Sequence, residues 1–227
     1  MTINHRLLLV PLLVAVLAVG VAIGAGLERS SHSGTTRGSG RAATQTRSVA
    51  AFDSVELAGS TVVTVHVGTS RSVVVHSDDN LVDRIRTRVR DGRLVITTAG
   101  SFKTNLPMRV DVGAPSLRSL ELSGSGVVSA SGIRAASFAV TVPGSGVVRA
   151  DGSVQRLRVV LDGSGDVQLG ALSADDVTAA VGGSGRIVVA PSKSLSASVE
   201  GSGVVVYTGS PARVTTNVTG SGAVVHG

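Results

Sequence analysis

The chain has 227 residues, 42% of them hydrophobic but only 2% aromatic, with 29 glycines and a formal charge of +6. It contains no cysteine, which excludes a disulfide framework, a thiolate metal site and a cysteine nucleophile, and so little aromatic area requires a core of many Val, Leu and Ala side chains in register. Residues 48–227 hold 16 Lys/Arg against 14 Asp/Glu, so the excess charge sits mostly near the N-terminus and no nucleic-acid partner is expected.

In chain order, Leu7 to Gly26 is an uncharged run of twenty residues preceded by Arg6. At about 1.5 Å per residue such a helix crosses a hydrocarbon core of roughly 30 Å. Residues 1–27 therefore read as a signal anchor, one membrane helix with its short N-terminal side in the cytoplasm. A cleavable signal peptide ending near Ala22-Ile23-Gly24 is the alternative and would give a secreted protein. Residues 28–47 are polar, rich in Ser, Thr, Gly and Arg, and lack a hydrophobic period, which reads as a flexible linker.

Residues 48–115 read as an irregular capping half. Val55-Glu56-Leu57-Ala58-Gly59-Ser60-Thr61 has the alternation of a strand running into a corner, Leu81–Ile85 reads as a helical turn, and Arg90-Asp91-Gly92-Arg93 reads as a hairpin turn between two strands. Arg84, Arg86, Arg88 and Arg90 alternate with Ile85, Thr87 and Val89. On a strand they would share one face, where Arg's planar fork suits phosphate or sulfate on a polymer. The plainer reading is a charged outward face that keeps the strand from pairing with other chains.

Residues 116–227 carry six Gly-Ser-Gly corners, at Gly124/Gly126, Gly144/Gly146, Gly163/Gly165, Gly183/Gly185, Gly201/Gly203 and Gly220/Gly222. Their spacing of about 19 residues is the period of a solenoid. Around each corner apolar and polar residues alternate, as in Leu120/Leu122 and Val128, or Val140/Val142 and Val148, so each repeat reads as two short strands with one buried face. The glycines fit a sharp bend that needs positive φ or close backbone approach, and the serines between them could stack as a hydroxyl ladder. The expected fold is all-β, a right-handed parallel β-helix preceded by one N-terminal membrane helix. A half-rung at the C-terminal edge invites self-association.

The Ala-Phe-Asp-Ser-Val-Glu-Leu segment at 51–57, Gly-Arg-Leu-Val-Ile-Thr at 92–97 and the serial Ser-Gly-Ser-Gly corners occur here in one order. In that combination the chain resembles the putative auto-transporter adhesin head GIN domain family of bacterial envelope proteins. The resemblance implies a β-helical surface domain with an adhesin role and supplies no catalytic residues. Asp162, Asp166, Asp175 and Asp176 cluster near one corner, but Asp166 has no acidic equivalent in the other repeats, unlike a calcium β-roll. His66 and His76 lack metal-ligand spacing. No cofactor or metal is expected, and no enzyme. The sequence predicts an envelope-anchored binding module whose partners are the membrane, through its helix, and an envelope or host polysaccharide or protein. A structural or sensory partner of another envelope protein and a polysaccharide-active β-helix enzyme are the alternatives.

Overall fold

A computed structural model describes residues 35–227; the expected membrane segment lies outside them. Among the described residues no helix is long and apolar enough to cross a membrane. Apart from one 3-10 turn at Val82–Arg84, the regular structure is β, and nearly all of it belongs to one 15-stranded, mostly parallel sheet wound into a β-solenoid.

In chain order the strands before the regular repeats are β1 (Thr36–Arg37), β2 (Ala42–Thr46), β3 (Ser54–Ala58), β4 (Val62–Val67), β5 (Ser72–Asp78), β6 (Ile85–Arg90), β7 (Arg93–Thr98), β8 (Phe102–Lys103), β9 (Arg109–Ala114) and β10 (Ser119–Leu122). The rungs that follow are β11 (Val127–Val142), β12 (Val147–Leu161), β13 (Asp166–Val181) and β14 (Arg186–Gly201). Each pairs in parallel with the next, and β15 (Val204–Tyr207), β16 (Arg213–Gly220) and β17 (Ala223–His226) continue the stack.

Parallel stacking in register turns the sequence alternation into columns. One column runs Gln45, Val75, Val110, Val63, Val128, Val148, Val167, Ile187, Val205, Val224 through ten successive strands. A second runs Ile96, Leu57, Leu122, Val142, Leu161, Val181, Val199, Val218. Their members from Val75 to Val205 and from Ile96 to Val199 are buried, which is how a chain with so few aromatics obtains its core. On the last rung Val214 and Val218 are about two-fifths exposed.

Rung β13 has three inward runs, not two. In β13 the buried positions are Val167 and Leu169, then Leu172 and Ala174, then Val177, Ala179 and Val181. Each change of parity marks a corner, because only a bend can bring adjacent residues to the same side of a pleated strand. The pairing of β13 with β14 shifts at the same places, between Leu169 and Ser173 and between Ala174 and Asp176.

At the Gly-Ser-Gly corners the dominant need is close approach, and the positive φ expected as the other reason for glycine is mostly not used. Of the twelve corner glycines only Gly201 and Gly220 have it. Among the leading glycines, a Cβ at Gly124 would run into the carbonyl oxygen of Gly59, one at Gly144 into that of Gly124, and one at Gly163 into that of Gly144. The trailing glycines all lack positive φ and are crowded in the same way. A Cβ at Gly126 would strike the Thr61 carbonyl, one at Gly146 that of Gly126, one at Gly165 that of Gly146, and one at Gly185 that of Gly165. At Gly203 and Gly222 it would meet a core valine of the rung beneath, Val181 and Val199, as well as the carbonyls of Gly185 and Gly203. The corners of successive rungs thus nest backbone on backbone.

The intervening Ser145, Ser202 and Ser221 bond the rung beneath through their amides, donating to Gly124, Gly183 and Gly201 carbonyls. Their side chains are exposed, so the ladder expected of the hydroxyls is made by the backbone.

The N-terminal half continues the coil. β3 and β4 form a rung around the Gly59-Ser60-Thr61 corner, parallel to β10 and to β11, and β7 and β9 add a further parallel layer. Capping proper is done by the antiparallel strands β6 on β7 and β5 on β9, with β2 on β5. The expected helical turn and hairpin are both present, the hairpin turning at Asp91 (φ 50°) and Gly92 (φ 73°).

The linker expected over residues 28–47 needs correction from Thr36 onward. β1 pairs with β8 and β2 pairs with β5, and Gln45 closes the end of the first column. The turn 78–80 is the docking point. Asp78, fully buried, accepts from the Gly40 amide at 2.7 Å and from the Thr104 hydroxyl; Asn80 accepts from the Ser39 amide at 3.0 Å and donates to the Arg37 carbonyl at 2.9 Å. No hydrophobic period announces this segment, because polar side chains and backbone dock it.

The Thr104 hydroxyl, helped by the Gly40 amide, holds the Asp78 carboxyl below its ordinary value of 3.8. The folded chain therefore takes up this proton at lower pH than the unfolded chain, so the contribution is complete above about pH 4 and is lost as pH falls through the folded value. In acid, hydrogen exchange at Gly40 and Asp79 is expected to accelerate before the amides of β12 and β13 respond, and Asp78→Asn should abolish that early step. Simultaneous loss of protection in both regions would show that Asp78 holds no separate clip.

Candidate functional site

Outward residues define the surface chemistry, and two places gather it. The first is the hairpin of β6 and β7. β6 is an edge strand, and its outward Arg86, Arg88 and Arg90 stand opposite Thr97, Val95 and Arg93. Together with Glu56 and Asp91 these residues line a cleft of about 470 Å³. Arg93 bridges three strands, its Nη1 lying 3.2 Å from Glu56 Oε2 on β3 and 2.6 Å from Glu121 Oε2 on β10. The hydrogen bond that Arg93 donates to Glu56 first, and the charge of Glu121 beside it, raise the Arg93 pKa above its already high ordinary value.

Arg84 does not belong to this row. It closes the 3-10 turn, and its Nη2 donates to Thr36 Oγ1 at 3.0 Å. The turn interrupts the two-residue alternation that an unbroken strand over 84–90 would have given, so the expected stripe of four is a row of three. Arg84 instead clamps β1.

The second place is a groove of about 600 Å³ that crosses β4, β11, β12, β13 and β14. Four strand spacings make it roughly 19 Å long. Thr64, Ser129 and Ser131 supply hydroxyls at one end, Arg186 and Val188 stand at the other, and Gly170 and Ala171 bulge beside it. Between them runs a hydrogen-bonded chain: Arg149 Nε donates to Gln168 Oε1 at 2.9 Å, and Gln168 Nε2 donates to Asp166 Oδ2 at 2.5 Å. Asp151 accepts the Gly132 amide at 2.9 Å. Sequence reading missed this groove, although it left a signal. Arg149 and Gln168 each stand three residues past a corner, and Asp166 and Arg186 one residue past, so solenoid register brings them side by side. The corner glycines themselves, Gly126, Gly146, Gly165, Gly185, Gly203 and Gly222 among them, line neither the groove nor the cleft.

The remaining candidates disperse. Asp175 pairs with Lys193 at 3.0 Å and accepts from Ser192, which together lower its pKa, and Asp176 accepts from Ser194 at 2.6 Å. His76 meets Asp111 at 3.0 Å, and His66 meets Ser131 at 3.2 Å. No group of three His, Asp or Glu that could hold a metal occurs among the described residues.

The described residues thus form a mostly parallel β-solenoid with an open groove across its rungs. The chain belongs to the family described as "Putative auto-transporter adhesin, head GIN domain", whose model matches residues 51–211. Among solved structures it is similar to a "putative adhesin" from Bacteroides fragilis NCTC 9343, at 21% identity and TM-score 0.69, over 84% of this chain and 99% of that one. It is also similar to a "putative lipid binding protein" and a "putative adhesin", both from Parabacteroides distasonis ATCC 8503. These show 20% and 19% identity and TM-scores of 0.49 and 0.47; each alignment covers 86% of this chain and 100% of the other. At such identities the first likeness is one of fold. No curated protein matches the chain.

Proposed function

We propose that the protein is an envelope-exposed, non-enzymatic, adhesin-like module that holds a glycan chain in the groove across β4 to β14. The Leu7–Gly26 segment attaches it to the membrane in this reading. The groove carries the proposal: it is long, shallow and lined by hydroxyls, an amide and charged groups of both signs, a donor and acceptor set suited to a hydroxyl-rich polymer. Its two carboxylates already serve as acceptors, from Gln168 and from the Gly132 amide. Acid–base cleavage would instead need a pair converging on one substrate bond. Weak contacts repeated along a chain add up by multivalency.

The test is capture of labelled envelope and host polysaccharides by the full-length protein, recording both retention and polymer length. Retention at unchanged length is expected, with Ser129→Trp, which fills the groove, lowering it at least tenfold. Shortened polymer would establish an enzyme. Absence of capture across the panel would move the role to contact with another envelope protein.

A further inference from the structure

We propose that Arg86, Arg88 and Arg90 form a second, separate binding site, for a linear polymer carrying tetrahedral oxyanions, phosphate or sulfate, at regular intervals. Alternate residues on a strand are about 6.7 Å apart, so the three guanidinium groups present a row roughly 13 Å long. Among the described residues their side chains make no hydrogen bond or ion pair. Glu56, which lines the cleft, and Glu121 on the neighbouring strand are both engaged by Arg93. That clamp removes the internal neutralisers from the row and leaves Asp91, at the turn, as the one other acid lining the cleft.

A charged edge that serves only to repel other strands has no need of concavity. Here the row sits between two hollows. Arg86 and Arg88 line the 470 Å³ cleft and also a second, of about 430 Å³, whose lining includes the hydroxyls of Thr46 and Ser48 and the Asp83 carboxylate, already paired with Arg47 at 3.5 Å. A flexible polyanion can lie along the row with side groups in either hollow. Three like charges held side by side repel one another, and an anion bridging two of them relieves that repulsion while each planar fork makes paired bonds to its oxygens. The row lies on β6, outside the groove proposed for the glycan, so either site can fail without the other.

The experiment measures binding of the full-length protein to inorganic polyphosphate, to heparin and to poly-glutamate across a salt series. Polyphosphate or heparin should bind with log K falling against log salt at a slope near −2, as expected for about three contacts on a single chain, and the tighter of the two identifies the anion. Poly-glutamate should bind at least tenfold more weakly. R86Q/R88Q/R90Q, checked for an unchanged melting temperature, should lose at least tenfold in affinity and most of the salt slope. The corresponding triple lysine variant should fall between, keeping charge without the fork. Groove variant Ser129→Trp should bind polyphosphate as the parent does. Unchanged binding by the triple glutamine variant, no binding of either oxyanion polymer, or equal binding of poly-glutamate would each overturn the proposal.

Discussion

Gly163→Ala should destabilise the solenoid by about 3 kcal/mol, the upper end for overpacking, lowering its melting temperature by roughly 10 °C. A methyl group there meets the Gly144 carbonyl, with the carbonyl carbon 2.8 Å away and the Pro143 oxygen at 3.0 Å. All of these are backbone atoms of the rung beneath, which cannot swing aside as a side chain can. Relief requires the two rungs to part, breaking register on both sides of the corner. Gly170→Ala is the matched control: the nearest atom to its added methyl is Val188 Cγ1 at an ordinary 3.5 Å, so its stability should change by no more than about 0.5 kcal/mol. Thermal melts of the two variants compare them directly. Equal melting temperatures would mean that the corners are looser than the nested geometry implies.

Phe138→Ala should cost about 3–5 kcal/mol, the range for truncating a buried aromatic. Phe138 is 2% exposed and lies in register with Leu157, which continues through Val177 to Leu195. Deletion removes the widest member of that column, and the neighbouring rungs are held apart by their own backbone ladders, so the gap cannot close. Phe138→Leu should recover most of the loss, since leucine already fills this place on the adjacent rung. Urea unfolding gives the comparison, with exposed Ala136→Ser as the neutral reference. A loss below 1 kcal/mol for Phe138→Ala would show that the rungs can collapse into the space.

The coil itself was legible because each of its devices recurs. Six corners at a near-constant interval give the rung, and the alternation beside them gives the inward face. The reason for the trailing glycines was only half legible: Gly126, Gly146, Gly165, Gly185, Gly203 and Gly222 could have served a left-handed turn or a close approach, and only stacking shows that it is the second. The uneven steps of 20 residues from Gly163 to Gly183 and 18 from there to Gly201 also had structural content. They mark the Gly170–Ala171 bulge, where β13 carries residues that β14 lacks.

The third inward run was hidden because Leu172 and Ala174 are too few to display a period. The docking of residues 36–46 was hidden for a different reason: Asp78, Asn80 and the β5 backbone hold it by polar bonds, which leave no hydrophobic pattern. Arg84 was misassigned because alternation alone cannot register a single turn of helix at the head of a strand. The groove is a property of stacking, built from residues 19 or 20 positions apart that acquire meaning only once the register is known.

The hydrogen bonds that join one rung to the next run along the axis of the coil. Tension applied along that axis therefore peels strands from their neighbours a few bonds at a time and never shears a whole strand at once. Each rung that lets go releases about 19 residues, on the order of 65 Å of extended chain at about 3.4 Å per residue, from a layer that occupied about 4.8 Å of the stack. Under pull the protein would lengthen in steps, as a pleated cord does.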